Sequence, residues 1–261
     1  MADQKLETMT GRIYRVAPKG HRPSVPPVKL DTVAGAIAAL ESPNLATRFL
    51  AWQALHEQGP KAEGELRHLF TNPDPRFRAR ALQLLARLPG KTADYVEAGL
   101  RVSTYQIRLT ALRIAQEEGL NLVPILQRLV KDPNPQVRRE CAVMLRHLNA
   151  PEAPQLWATL AKRHDGKDRW YLEALGIGAD GQWDAFLSAY LALEPNALQT
   201  PAGRDIIWRS RSRQTPALLV KLVKDPATPE AERARYYRAF DFQTGPEKEA
   251  ALVELLTAGT K

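Results

Sequence analysis

SPNLATRFLAWQAL (42–55), NPDPRFRARALQLL (72–85), VSTYQIRLTALRIA (102–115) and DPNPQVRRECAVML (132–145) are four versions of one segment, spaced by 30 residues. Arginine recurs as Arg48, Arg78, Arg108 and Arg138. Three residues later stands a small side chain: Ala51, Ala81, Ala111 and Cys141. Seven residues after the arginine come Leu55, Leu85, Ala115 and Leu145. Such spacings put the small and large residues on one face of a helix. Pro43, Pro73 and Pro133 open their units, with Ser103 in that column of the third. A period of this length is too short for a domain and suits one supersecondary unit that is stable only when stacked.

Each unit therefore reads as two helices. GELRHLF (64–70), TADYVEAGL (92–100) and VPILQRLVK (123–131) supply the first helices between the marked second ones. Proline at the turn stops one helix and starts the next. Asn44, Asp74 and Asn134 can cap the exposed amides. The expected fold is all-α, an α-solenoid of about seven antiparallel helix pairs. Residues 29–148 keep the rhythm strictly and 149–261 keep it loosely. In the looser half, GKDRWYLEALGIGADG (166–181) reads as a second helix and Trp183 to Leu193 as the next first helix. GRDIIWRSRS (203–212), TPALLVKLVKD (215–225), TPEAERARYYRAF (228–240) and EKEAALVELLTAG (247–259) follow as helices. Residues 1–28 do not fit. They read as an extended linker, either a tail, a strand packed on the first repeat, or the remnant of an upstream domain.

Composition narrows the class. The chain has 261 residues, 44% hydrophobic and 25% charged, too apolar for a wholly disordered chain. No apolar run is long enough to span a membrane. The opening residues lack a continuous apolar signal-peptide core. Cys141 is the single cysteine, so no internal disulfide framework exists. The five histidines form no tight ligand motif with cysteine or carboxylate, and no metal or cofactor is expected. Thirty-seven basic against 29 acidic residues give a net charge of +8, which leaves nucleic acid open as a partner.

The units resemble HEAT repeats, with the Pro–Asn/Asp turn and the second-helix arginine in their family places. A narrower resemblance covers GRIYRVAPKG (11–20), the repeat block, GKDRWYLEALGIGADG and the segment DIIWRSRS (205–212). These are similar to the region after the β-propeller in large bacterial, planctomycete-type proteins described as membrane-bound or sorbosone dehydrogenase-like. That resemblance implies a propeller with dehydrogenase-like function upstream and a cytochrome c domain downstream. This chain has too few residues before Lys29 for a propeller, and its one cysteine cannot form a Cys-x-x-Cys-His haem motif. The implied role is a middle spacer, with a periplasmic or exported location. Outside that context the expected location is cytoplasmic.

The arginine ladder reads as structural. A guanidinium fork suits turn carbonyls and a neighbouring acid such as Asp74 or Asp132, although a row of anion-binding groups is the functional alternative. The less periodic Arg76, Arg80, Arg139, Arg146, Lys162, Arg163, Lys167, Arg169, Arg204, Arg209, Arg211 and Arg213 are better candidates for a basic binding surface, together with Trp170, Tyr171, Trp183 and Trp208. ERARYYRAFDF (232–242), with Arg235, suits either partner binding or sealing of the last repeats. Such rings either fill the joint where the repeat becomes irregular or stack on an extruded base. Some alkyl-base DNA glycosylases use HEAT-like arrays, and the chain resembles them in size and basicity. A catalytic acid would then come from Asp168, Glu173, Asp180 or Asp184, none at a diagnostic spacing. ALGIGADGQW (174–183) resembles a phosphate loop only superficially, since no strand precedes it. The favoured reading is a non-enzymatic scaffold or protein-binding module, possessing no catalytic residues of its own. The rival is a basic DNA-binding or base-excision protein. A small-ligand pocket at the joint, near residues 166–213, is the third reading.

Overall fold

The computed structural model describes residues 16–21 and 27–258. Most of the expected N-terminal linker lies outside the described residues, and 16–21, 27 and 28 are exposed. Fifteen α-helices occur among the described residues. They are α1 (Val33–Leu40), α2 (Leu45–Gln58), α3 (Glu63–Leu69), α4 (Pro75–Leu85), α5 (Thr92–Leu100), α6 (Tyr105–Glu117), α7 (Leu122–Leu129) and α8 (Pro135–Met144). Then come α9 (Ala153–Ala161), α10 (Arg169–Gly178), α11 (Trp183–Leu193), α12 (Pro201–Arg209), α13 (Thr215–Lys224), α14 (Glu230–Ala239) and α15 (Pro246–Ala258).

The helices pack as antiparallel pairs, an all-α arrangement consistent with a generic α-solenoid. The even-numbered helices form an unbroken row: α2 packs on α4, α4 on α6, and so on through α14. Odd-numbered helices back them, with α1 on α3, α7 on α9, α9 on α11 and α13 on α15.

Local sequence explains where the even helices start. Asn44 Oδ1 accepts from the amides of Ala46 and Thr47 at 2.9 and 3.2 Å. Asp74 and Asn134 cap α4 and α8 in the same way, each with proline as the first helical residue. Thr104 begins α6 without a side-chain cap.

Ala51, Ala81, Ala111 and Cys141 are fully buried, one on each of α2, α4, α6 and α8. Burial pushes the Cys141 thiol up, away from the reactive thiolate. The core passes from unit to unit through single helices. On α4, Ala81, Leu84 and Leu85 face the first pairs, whereas Leu82 packs with Ala111 and its neighbours. A larger aromatic group fills the less regular half. Trp157 is fully buried on α9, donates from Nε1 to the Leu175 carbonyl at 2.9 Å, and meets Trp183 and Phe186 at 5.7 Å.

Two glycines bring α10 close to its neighbours. A Cβ on Gly178 would stand 2.0 Å from the Ala142 carbonyl oxygen of α8. A Cβ on Gly176 would stand 2.3 Å from the Arg209 guanidinium carbon. ALGIGADG is thus a helix-packing segment, and only Gly181, with φ +78, takes the left-handed conformation of a turn.

Candidate functional site

The arginine ladder gives the frame in which the site is found. Arg48 donates to the carbonyls of Ser42 and Pro43 at 3.0 and 2.8 Å. Arg108 does the same to Val102 and Ser103, and Arg138 to Asp132 and Pro133. Arg78 instead reaches the Phe70 carbonyl and Thr104 Oγ1. Arg108 also pairs with the buried Asp132 carboxylate at 2.7 and 2.9 Å. Asp74 does not serve the ladder: it holds its own Arg76 at 2.6 Å, because its place as N-cap turns it toward the helix start.

Each ladder arginine stands four residues after its helix's N-cap. The same place holds Arg204 on α12 and Arg233 on α14, after N-caps Thr200 and Pro229. Arg204 donates to the Gln199 carbonyl and Arg233 to that of Asp225. The ladder therefore runs on through the irregular half. It is interrupted at α10, where Leu172 stands four residues after N-cap Asp168.

A cavity of about 350 Å³ opens at this missing rung. Leu172, His164, Gly166, Lys167, Arg169 and Glu173 line it from α10 and the turn before it. Asp205 and Trp208 of α12 and Arg235 of α14 line the other side. His164 is buried, and its Nε2 lies 3.1 Å from Asp205 Oδ2. The second Asp205 oxygen accepts from Arg235 Nη2 at 2.6 Å. Burial would raise the Asp205 carboxyl, but the hydrogen bonds from His164 and Arg235 outweigh it and hold the group below its ordinary value. An ionised carboxylate only accepts, so the His164 proton sits on Nε2. His164 Nδ1 is left buried without a partner, as is Nε of Arg138 one rung earlier. Both side chains pack on Tyr171: the His164 ring is stacked at 6.3 Å and the Arg138 guanidinium lies 5.6 Å from the ring centre. The Arg235 guanidinium covers Trp208 at 4.2 Å.

The residues expected to form a binding surface divide into three groups. Tyr171 and Trp183 lie in the core rather than on the surface. Tyr171 donates its hydroxyl to the Leu160 carbonyl, and Trp183 joins the Trp157 cluster. Their placement follows from helical phase, since each falls on the side of its helix that faces the next pair. Arg204, Arg209 and Arg211 are committed to internal contacts. Arg204 pairs with Glu232 at 2.9 Å and Arg209 with Glu173 at 3.0 Å. Arg211 donates to the carbonyls of Trp208, Arg209 and Ser210 and lies over Phe242. Burial, then repulsion from Arg209, pushes the Arg211 guanidinium below its ordinary value. Arg213 is exposed and pairs with Asp184 at 2.8 Å.

Arg169 and Trp170 remain on the surface. Trp170 is 74% exposed, and the Arg169 side chain is 80% exposed with Glu173 at 3.6 Å. Both stand in the first turn of α10, beside the cavity and next to Lys167. The four acids considered for base excision all have structural partners. Asp168 caps α10 through the Tyr171 amide, and Glu173 is held by Arg209. Asp180 pairs with Arg146, and Asp184 accepts from Ser212 and Arg213.

Lys167 and Arg235 were candidates for a binding surface in the sequence, whereas His164 and Asp205 were not. The thirty-step register carried past Arg138 lands on Asp168, the N-cap of α10, so the missing rung at Leu172 shows only once the helix start is known. Among the described residues no group of three or more His, Cys, Asp or Glu side chains could hold a metal ion, and no helix is long and apolar enough to cross a membrane. No protein-family model matches this chain and no curated protein matches it.

Proposed function

We propose that the chain is a non-catalytic scaffold or protein-binding module of HEAT-type repeats, with its partner contact centred on the interrupted rung at α10. One observation carries this reading. Trp170 and Arg169 project from the first turn of α10, where Arg169 lines the cavity at the interrupted rung. Tryptophan and arginine next to a pocket are the side chains that anchor protein interfaces. The even row holds this surface rigid, because α10 is packed on both α8 and α12. In the larger architecture that the sequence resembles, the same module would space a dehydrogenase-like propeller from a cytochrome c domain.

The test is quantitative affinity capture from source cells, with wild-type chain and the Trp170→Ala and Arg169→Ala variants as bait. Tyr237→Ala, exposed on α14, serves as control. The expected result is a protein retained by wild type and control and lost from both α10 variants. An identical set from all four baits would overturn the reading. The DNA alternative is separated by titrating duplex and single-stranded oligonucleotides at two salt concentrations. Salt-dependent binding that Trp170→Ala abolishes would favour it over the protein-binding role.

A further inference from the structure

Large apolar side chains are exposed at both ends of the helix stack. Among the described residues, six of the thirteen exposed large hydrophobic residues belong to α2 and α15, which marks those two helices as interaction faces. On α2, Leu45, Phe49 and Trp52 share one side, since they are spaced four and three apart. Leu45 and Phe49 are exposed, while Trp52 is half-buried against the core that holds Ala51 and Leu55. With Leu40, Arg48 and Arg80 they line a groove of about 270 Å³ between α2 and α4. Leu45 is 71% exposed, and Phe49 is exposed too. In the later units the two places hold Pro75 and Ala79, Tyr105 and Leu109, then Pro135 and Arg139, and none of these is at once large, apolar and exposed.

The other end has the matching face. On α15, Ala251 is buried and Leu255 packs against the core. Leu252, Val253 and Leu256 point the other way, with Leu256 74% exposed. Glu249 shares their side of the helix by the same three- and four-residue spacing. Glu254 is paired with Lys224 at 2.7 Å, which leaves Glu249 as the acid on the exposed side, whereas the groove is edged by two guanidinium groups. Burial first, then repulsion from Arg48 and Arg76, holds the Arg80 guanidinium below its ordinary value. The groove thus gains from an anionic neighbour.

We propose that copies of this chain associate head to tail, with the acidic, apolar face of α15 of one copy seated in the groove between α2 and α4 of the next. The two faces differ, so the contact is heterologous and builds rings or open chains rather than a two-fold dimer. This inference is independent of the partner contact proposed at α10.

Sedimentation velocity across the micromolar range tests it on the full chain. Wild type is expected to sediment faster as concentration rises. Phe49→Glu and Leu256→Glu, both at exposed positions, are each expected to stay monomeric, with helical content by circular dichroism unchanged. An equimolar mixture of the two is expected to form a dimer and nothing larger, since one intact groove meets one intact α15 face. Glu249→Lys is expected to weaken association severalfold. Wild type that remains monomeric throughout would overturn the proposal. So would either variant associating alone, which is the signature of a symmetric contact, or a mixture that fails to dimerise. If either glutamate variant loses helicity, Leu45→Lys and Val253→Lys make the same test on the same two faces.

Discussion

Helices α6 and α10 occupy the same place in successive parts of the even row, yet they are tied to their turns differently. At α6, Arg108 clamps two carbonyls of its own turn and the Asp132 carboxylate of a later one. At α10, leucine stands on that rung, and the turn is held instead through His164 and its bond to Asp205 of α12. The regular units have grooves of their own, and Arg138 of one of them keeps a buried Nε without a partner. The interrupted unit instead sets a cavity and the buried, unpartnered Nδ1 of His164 at the rung. A repeat protein thus acquires a distinctive surface by omitting one periodic residue, and the tightly repeated positions serve stability.

The largest expected effect tests the closed side of that contrast. Arg108→Ala leaves Asp132, whose side chain is 4% exposed, without its guanidinium. It should cost about 3–5 kcal/mol in urea unfolding. Arg48→Ala, which loses only bonds to carbonyls near solvent, should cost about 1 kcal/mol. Equal costs would mean that the ladder does not depend on its acid.

Next comes the contact between the two regions. Gly178→Ala drives a methyl group into the α8 backbone and should lower stability by about 2–3 kcal/mol in thermal unfolding. A neutral result would mean that α8 and α10 can separate freely. Leu172→Arg restores the missing rung. Because Leu172 is buried, the change should cost about 2 kcal/mol, while partner capture falls as it does for Trp170→Ala. Undiminished capture would detach the cavity from the binding surface.

The pH response should also differ between the regions. Asp205 has a folded-state value below its unfolded one, so its contribution to stability is complete above the unfolded value. It is lost as pH falls through the lower folded value. Asp205→Asn should therefore flatten the acid limb of the stability profile below about pH 4. An unchanged limb would place the acid sensitivity elsewhere. The smallest effect is expected for Trp170→Ala, within about 0.5 kcal/mol of wild-type stability, because the ring is mostly in solvent.

Sequence periodicity carried the even helices and their caps well, because Asn44, Asp74 and Asn134 sit where the backbone needs an acceptor. It was silent on α9. There Pro151 and Pro154 crowd the start, and the helix is recognised by Trp157 finding a buried carbonyl across the pair. The candidate surface was legible at Lys167, Arg169, Trp170, Trp208 and Arg235, but not at His164 and Asp205. Helical phase sends Tyr171 and Trp183 inward, and the charge of Arg204 and Arg209 is spent on Glu232 and Glu173, which lie 28 and 36 residues away. Such distant pairings leave no mark in local spacing. Ladder positions 204 and 233 were hidden for a simpler reason, since turns of unequal length break the thirty-step count after α8.

The passage of Arg209 beside Gly176 has a consequence for how this chain can change over generations. A side chain at 176 fits only if the Arg209 guanidinium swings aside. Either that movement or a shorter residue at 209 takes from Glu173 its closest cation. Change at 176 is therefore coupled to the charge at 173.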